Sequence, residues 1–500
     1  MIIDAHQIEE DSNIEADVCI IGAGPAGISL ARALVDTGAN VVLLESGGTK
    51  VEEAPQELNE GVDLGTIARQ GHLRRSRRRV VGGATVLWGG WCRPLDAIDF
   101  EARPWVPHSG WPISKADLAP YYRRAAAVLQ IEPFEAEDGT KLKLPGPYIL
   151  QESEPLVTKV FQVSPTKDGR FGKQYLQPLA KADNVRVLLN ATAFELQASE
   201  NGSTVKQIAV GYLDGKRISV KAKHVVLAMG GVENARLLLN SNGHQAAGLG
   251  NQHDVVGRYY MEHPWITAAG GIVIVGSPPV YQGFGKEYHD YRSWRFPALA
   301  VSDAVQRRDK LMNFRARLEP MPTGPTNALH QSIGQTAAKF VPNKTKRPPE
   351  YFQIDVSSEQ APNPDSRVTL AEKKDLFGMP QAQLDWQLTD FDNRTIRDSL
   401  ALIASELGKW QVGRAQNSID ESDPWPLRTA GACHHMGATR MHTDAKQGVV
   451  DADCRVHGMS NLFIAGSSVF PTGGVANPTF TIIALSLRLA DHLKSVLGNT

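Results

Sequence analysis

The sequence predicts an α/β chain with α+β character, in which one part is built on a parallel sheet and the other on a mostly antiparallel one. Three observations carry this reading. A strand, glycine turn, helix and second strand fit within about 30 residues near the N-terminus, the size of a βαβ unit. Short apolar runs suited to buried parallel strands return far along the chain, at Val225–Leu227 and Leu462–Ala465. Between them, residues 265–425 show alternating stretches and scattered Trp, Tyr and Phe, the pattern of antiparallel strands joined by loops.

The first unit reads cleanly. Ala16-Asp17-Val18-Cys19-Ile20-Ile21 is a buried strand, followed by Gly22-Ala23-Gly24-Pro25-Ala26-Gly27. Ile28, Ala31, Leu34 and Val35 then recur at helical spacing, Asp36-Thr37-Gly38 stops the helix, and Val41–Glu45 is the second strand. In that setting the glycines form a dinucleotide fingerprint. Gly22 permits the tight turn, Gly24 lets a pyrophosphate approach the backbone, and Gly27 lets the helix pack close to the sheet. Pro25 and Ala26 open a helix whose free N–H groups and positive dipole end favour phosphate. Glu45, 23 residues after Gly22, can accept hydrogen bonds from a ribose. The fingerprint by itself does not separate FAD from NAD.

A second glycine-rich stretch, Gly82-Gly83-Ala84-Thr85-Val86-Leu87-Trp88-Gly89-Gly90, follows a basic cluster of Arg74, Arg75, Arg77, Arg78 and Arg79. The cluster reads as a solvated face; the alternative is that one or two of these arginines pair with a pyrophosphate or shape a site entrance. Residues 101–200 mix short helices and strands. Ala228-Met229-Gly230-Gly231 leads from a strand into a helix, and Glu319–Pro349, rich in Pro, Thr, Asn and Lys, is expected to be a mobile lid or exposed loop. A last helix is expected over 478–496, with Asn477 as a favoured N-cap and Pro478 as a favoured first residue.

Composition bounds the function classes. Five hundred residues suggest roughly two to four domains, or two large interleaved ones. The chain is 42% hydrophobic and 21% charged with a net charge of −1, so nothing electrostatic favours nucleic acid or an anionic membrane as partner. The four cysteines, Cys19, Cys92, Cys433 and Cys454, form no CxxC, and no metal site is expected. The N-terminal residues are acidic and lack the basic and apolar regions of a signal peptide, and no apolar stretch approaches the roughly 18 residues of a membrane span. The expected location is cytoplasmic.

From Gly431 the chain reads Gly-Ala-Cys-His-His-Met-Gly-Ala-Thr-Arg-Met, and further on Gly-Val-Val-Asp-Ala-Asp-Cys-Arg-Val-His-Gly-Met-Ser-Asn-Leu-Phe-Ile-Ala-Gly-Ser-Ser-Val-Phe-Pro-Thr-Gly-Gly-Val-Ala-Asn-Pro-Thr. This resembles the C-terminal signature of glucose–methanol–choline (GMC) oxidoreductases, within them the bacterial branch related to pyranose oxidases and to sugar or glycoside 3-oxidases and dehydrogenases. Gly82–Gly90, Ser109–Ile113, Met229–Leu239, Gly257–Pro264 and Glu359–Leu370 are similar to the family as well, so the resemblance covers nearly the whole chain.

The resemblance implies a bidomain flavoprotein of the GMC, p-hydroxybenzoate-hydroxylase-like kind. Its Rossmann-like FAD-binding domain would be discontinuous, from residues 1–100, 205–260 and 426–500. Residues 101–204 and 261–425 would form the substrate domain, with a large antiparallel sheet over the flavin. FAD contacts are expected from Gly22, Gly24, Pro25, Ala26, Gly27, Glu45, Gly82, Gly83, Thr85, Trp88, Gly89, Gly90, Ala228, Gly466, Ser467, Asn477, Pro478 and Thr479. Some relatives tether FAD through a His at the position held here by Leu87, so the FAD is expected to be non-covalent.

The implied reaction is oxidation of an alcohol on a sugar, glycoside or polyol by hydride transfer to flavin N5. An alcohol carbon gives up hydride readily only as its hydroxyl proton leaves, and a neutral imidazole can take that proton. The family's first catalytic His falls on His434 and its His-or-Asn partner on Asn477. The adjacent His435, with His263 and Gln360, are candidate substrate contacts. Oxygen or a quinone- or cytochrome-type carrier would take the electrons. Two other readings are a flavin monooxygenase, which shares the first βαβ unit, and an FAD-carrying subunit of a larger dehydrogenase. Oligomeric state is not legible.

Overall fold

Val18–Ile21 and Val41–Leu44 are apolar and buried at every position, as strands covered on both faces must be. In the computed structural model, which describes residues 1–66, 71–134, 155–274, 294–320, 350–410, 413–417, 419, 425 and 429–498, these two strands lie at the centre of the first of three sheets. Its order is β1 (Ile2–Asp4), β7 (Val185–Leu189), β3 (Val41–Leu44), β2 (Asn13–Ile21), β10 (Arg217–Leu227), β9 (Val205–Gly211) and β8 (Thr192–Ala198), with β19 (Leu462–Ile464) also paired to β10. The pairings from β1 through β10 and on to β19 are parallel; β9 and β8 add an antiparallel edge. The register sets Leu227 beside both Ile21 and Ile464, so three strand ends distant in sequence finish at one level. At that level the chain turns into the helices Pro25–Ala33 and Gly230–Asn240.

The second sheet is antiparallel throughout. It runs β17 (Gly413–Asn417), β11 (Pro264–Ile274), β14 (Glu350–Ser358), β13 (Phe314–Pro320), β12 (Trp294–Val301), β6 (Leu156–Val163) and β5 (Trp91–Cys92), with β18 (Thr429–Gly431) also on β11. One face packs on the helix Asp390–Lys409: Phe314, Ala316, Leu318, Ile354 and Val356 meet Ile396, Leu400, Ile403 and Leu407, which recur at helical spacing. Thr389 and Asp392 close that helix's N-terminus with a capping box. A third, smaller sheet joins β15 (Arg367–Lys374), β16 (Pro380–Trp386) and β4 (Gly61–Gly65).

The strands expected from sequence at 16–21, 41–45, 225–227 and 462–465 are neighbours in the first sheet, and the last helix spans Thr479–Gly498. The boundaries between the two parts need correction. β7 and β8 belong to the first sheet, not to a substrate part running through residue 204, because β7 fills the gap between β1 and β3. The Lys115–Leu129 helix packs on the Thr479–Gly498 helix, with Tyr122 Oη 2.8 Å from Thr481 Oγ1. Conversely, Trp91–Cys92 pairs with β6 of the second sheet. The lid expected over Glu319–Pro349 lies, beyond its first two residues, outside the described residues. No described helix is long and apolar enough to cross a membrane.

A fully buried ion pair ties the second sheet to the loop before the last helix. Arg103 Nη1 and Nη2 donate to the two carboxylate oxygens of Glu359 at 2.9 and 2.6 Å, and the same carboxylate accepts from the backbone N–H groups of Asn313 and Gly474 at 3.1 and 3.3 Å. Burial works against the Glu359 charge, but Arg103 and these donors hold its carboxyl below the usual range. Removing one partner of such a pair strands the other charge. Glu359→Ala is therefore expected to lose about 3–5 kcal/mol of stability, read as a lowered midpoint in chemical unfolding; a change under about 1 kcal/mol would show that the pair is not the tie.

Candidate active site

The glycine loops bring backbone against backbone. Gly22 has φ +108°, and a Cβ there would sit 2.7 Å from the Ala228 carbonyl oxygen; one on Gly27 would sit 1.9 Å from that of Gly22. A Cβ on Gly83 would touch Gly24 Cα at 3.1 Å, and Gly82 N–H donates to Ala23 C=O at 2.7 Å. The second glycine stretch thus lies directly on the first. Beside them opens a cleft of about 560 Å³. Of the cofactor residues expected from sequence, all line this cleft except Gly27 and Gly82, which lie behind it and allow the close packing.

These residues fit a flavin dinucleotide. A Cβ on Gly24 or Gly466 would meet no protein atom within 4 Å, so the cleft is open at both glycines. The Pro25–Ala33 and Thr479–Gly498 helices begin at the cleft, and Trp88 Nε1 is buried there without a partner. Glu45 is already engaged: its carboxylate accepts from Ala23 and Gly47 N–H, both at 2.9 Å, while burial pushes its carboxyl up. The arginine cluster is not one solvated face. Arg77 and Arg79 are paired with Glu233, on which Arg236 also converges. Burial opposes charge at Glu233, yet the three guanidiniums hold its carboxyl far below the usual range.

At one end of the cleft stand Trp91, Trp265, Cys433, His434, His435 and Asn477. Cys433 takes a left-handed conformation, φ 59°, and the two histidines after it make different contacts. His434 Nε2 lies 3.2 Å from Asn477 Nδ2, and its Nδ1 lies 2.8 Å from Nδ1 of His263, whose Nε2 is 3.0 Å from the Gly474 carbonyl oxygen. A carbonyl can only accept, so His263 carries its proton on Nε2 and presents a bare Nδ1. His434 must then donate from Nδ1, which leaves the lone pair on Nε2, beside Asn477. Burial drives both imidazoles toward the neutral form. His263 is pushed down to about 4, and His434 falls well below its ordinary value, burial being the main cause, with the adjacent His263 opposing a second proton and the Arg315 charge adding to it.

His435 turns toward a second cluster. Glu262 Oε1 accepts from Tyr260 Oη at 2.5 Å and His72 Nε2 at 2.6 Å, with His435 Nε2 3.3 Å away; Oε2 accepts from Cys433 N–H at 3.0 Å. Burial opposes the charge, but His72 and His435 hold the Glu262 carboxyl well below its usual value; at His72 burial lowers the imidazole, but the charge and hydrogen bond of Glu262, together with Asp63, outweigh it and raise the imidazole. His72, Glu262 and His435 are residue types that bind metals, but the 2.6 Å contact is a hydrogen bond, and the group acts as a charged brace under residues 431–435. Gln360, expected at the substrate, is buried instead: its Oε1 accepts from Glu262 N–H and Trp386 Nε1, both at 2.9 Å. His263, also expected there, does not line the cleft and stands behind His434.

Sequence reasoning does not single out His72, Glu262, Trp91, Trp265 or Arg315. The readable signal for Arg315 is the run Phe314-Arg-Ala-Arg-Leu, in which charge alternates with apolar residues along one strand.

Residues 362–486 match the family model described as GMC oxidoreductase, and residues 15–60 match one described as an FAD binding domain. The fructose dehydrogenase large subunit of Gluconobacter japonicus is 24% identical over 97% of this chain and 99% of its own length. Paromamine 6'-oxidase of Streptomyces fradiae is 24% identical over 97% of this chain and 91% of its own. A solved formate oxidase has a TM-score of 0.60 at 16% identity, covering 98% of this chain and 100% of that one. Fold, cleft and these matches define an FAD-dependent oxidoreductase acting on CH–OH donors. The chain carries the C-terminal domain of the GMC oxidoreductases together with an FAD-binding domain.

Because a Cβ on Gly27 would overlap the Gly22 carbonyl, Gly27→Val is expected to be isolated with little or no flavin. The ratio of flavin to protein absorbance measures this, and a full complement of cofactor would contradict the packing role given to Gly27.

Proposed function

We propose that this enzyme oxidises a CH–OH group of a sugar, glycoside or polyol to C=O, with His434 taking the hydroxyl proton at Nε2 and Asn477 orienting the same oxygen. The chain of hydrogen bonds from the Gly474 carbonyl through His263 to His434 carries the reading. It supplies an imidazole in one tautomer, with its basic nitrogen beside the Asn477 amide. Bound FAD supplies the hydride acceptor. His434 contributes the base and Asn477 a hydrogen-bond donor to the reacting oxygen. Asn477 Oδ1 is buried without a partner, an acceptor suited to a neighbouring hydroxyl of a polyol. His263 acts as a positioning residue through His434. The relatives named for fructose and paromamine support a sugar-like substrate.

Anaerobic reduction of the bound flavin by a panel of sugars, glycosides and simple alcohols tests this. His434→Ala is expected to slow reduction by about 10²–10⁴-fold, while His435→Ala stays within about tenfold of the parent. The reverse order would move the base to His435. Bleaching by NAD(P)H in place of alcohols would favour the monooxygenase reading.

The pH profile follows from the direction of the His434 shift. The neutral imidazole is the active form, and its pKa lies below the ordinary 6.5, so falling pH protonates it late. The acid limb of kcat/KM is expected below pH 6.5, and a limb at or above that value would count against His434 as the titrating base.

A further inference from the structure

Six arginines are deeply buried among the described residues. Five have an anion or a carbonyl: Arg77 has Glu233, Arg93 has Asp96, Arg103 has Glu359, Arg236 has Glu233 and Asp375, and Arg440 donates to the His108 carbonyl. Arg315 differs. It is 3% exposed, it forms no ion pair with a described residue, and its Nη2 is buried without an acceptor.

Strand alternation fixes the face on which it stands. Phe314, Ala316 and Leu318 face the Asp390–Lys409 helix, so Arg315 and Arg317 point the other way. In register, Arg315 neighbours Ser357 of β14, and Ser357 neighbours Trp265 of β11, which lines the cleft. The Arg315 guanidinium carbon lies 4.6 Å from the ring centre of Phe161, 5.4 Å from Trp91 and 5.8 Å from Trp265. Arg317 lies over the same two tryptophans but already pairs with Glu319. Ser357 Oγ, beside Arg315, is buried and unpartnered too. Aromatic faces offset only part of what burying a guanidinium without an anion costs. This cation stands close enough to His434 and His263 for its charge to act on both.

We infer that the substrate brings the missing charge: a hydroxylated molecule with an anionic oxygen group that reaches past the cleft-lining Trp91 and Trp265 to Arg315 and Ser357, which adjoin the cleft lining without forming it, while its alcohol meets His434. A guanidinium suits that task because its planar fork matches the oxygens of a carboxylate or phosphate. The inference rests on the alcohol-oxidation reading and adds the substrate's charge to it.

The test uses the flavin-loaded enzyme under anaerobic conditions with glucose, methyl glucoside, glucuronate and glucose 6-phosphate. A charged sugar is expected to exceed the neutral ones in kcat/KM by about tenfold or more, and the better of the two charged sugars names the group as carboxylate or phosphate. Neutral sugars reducing the flavin as well as charged ones would overturn the inference. Arg315→Gln, checked for retained flavin, is expected to abolish the preference, and Arg315→Lys to keep part of it; an unchanged preference in Arg315→Gln would overturn the assignment to this residue. Should Arg315→Gln not fold, calorimetric binding of tetrahydropyran-2-carboxylate and its methyl ester to the parent enzyme decides. Neither probe has a hydroxyl to oxidise. The carboxylate is expected to bind at least about tenfold more tightly, and equal binding would overturn the inference. If no alcohol of either charge reduces the flavin, the oxidation reading fails, and the probe comparison still reports on the cation.

Discussion

The constraint on which the site depends is backbone contact without side chains between. Gly22 lies against Ala228, Gly27 against Gly22, and Gly83 against Gly24, so three segments far apart in the sequence meet at van der Waals distance. Dense packing of this kind leaves no slack for even a methyl group. Because the contacts are made by main chain, N–H groups and helix N-termini are exposed to the cleft where phosphates are to be held. The second glycine stretch then leads directly into Trp91, which carries the chain onto the antiparallel sheet. A dinucleotide cradle and a wall of the reaction chamber are therefore continuous.

Two buried carboxylates place the reacting end. Glu262 holds the backbone at Cys433 while His72, Tyr260 and His435 gather on its other oxygen. Gly431 must be glycine there, since a Cβ would lie 2.1 Å from Glu262 Oε2. Glu359, fixed by Arg103, holds the backbone at Gly474, and the Gly474 carbonyl selects the tautomer of His263. Neither carboxylate is hydrogen-bonded to His434, whose own hydrogen-bond partners, His263 and Asn477, are neutral and directional. This division lets a base stay unprotonated in a buried place, where a carboxylate in direct contact would raise its pKa.

How much of this is legible in the sequence depends on whether the signal is local. Strands buried on both faces admit only apolar residues, so Val18–Ile21, Val41–Leu44, Val225–Leu227 and Leu462–Ile464 stand out by themselves. Val185–Leu189 has a similar composition, but its neighbours β1 and β3 lie more than a hundred residues away, and nothing beside it marks which sheet it joins. His434 and Asn477 are readable because each sits in a long motif. The role of His263 is not, because it arises from a contact across 171 positions. The arginines before Gly82 look like a solvated run for the same reason: Glu233, which buries Arg77 and Arg79, is remote in the chain.

The order of assembly follows from β19. This strand, at residues 462–464, completes the first sheet beside β10, and the loop after it supplies Gly466, Ser467 and Asn477 to the cleft. During synthesis the N-terminal βαβ unit leaves the ribosome hundreds of residues before the segment that closes its cradle. At about 5–20 residues per second, that interval lasts on the order of tens of seconds. The half-built sheet meanwhile has an exposed apolar strand face, and its cleft still lacks the lining that Gly466, Ser467 and Asn477 supply. A flavin held between both ends of the chain would be captured only after translation, and a shortage of flavin in the cell would then act on how much chain survives as well as on how much enzyme is active.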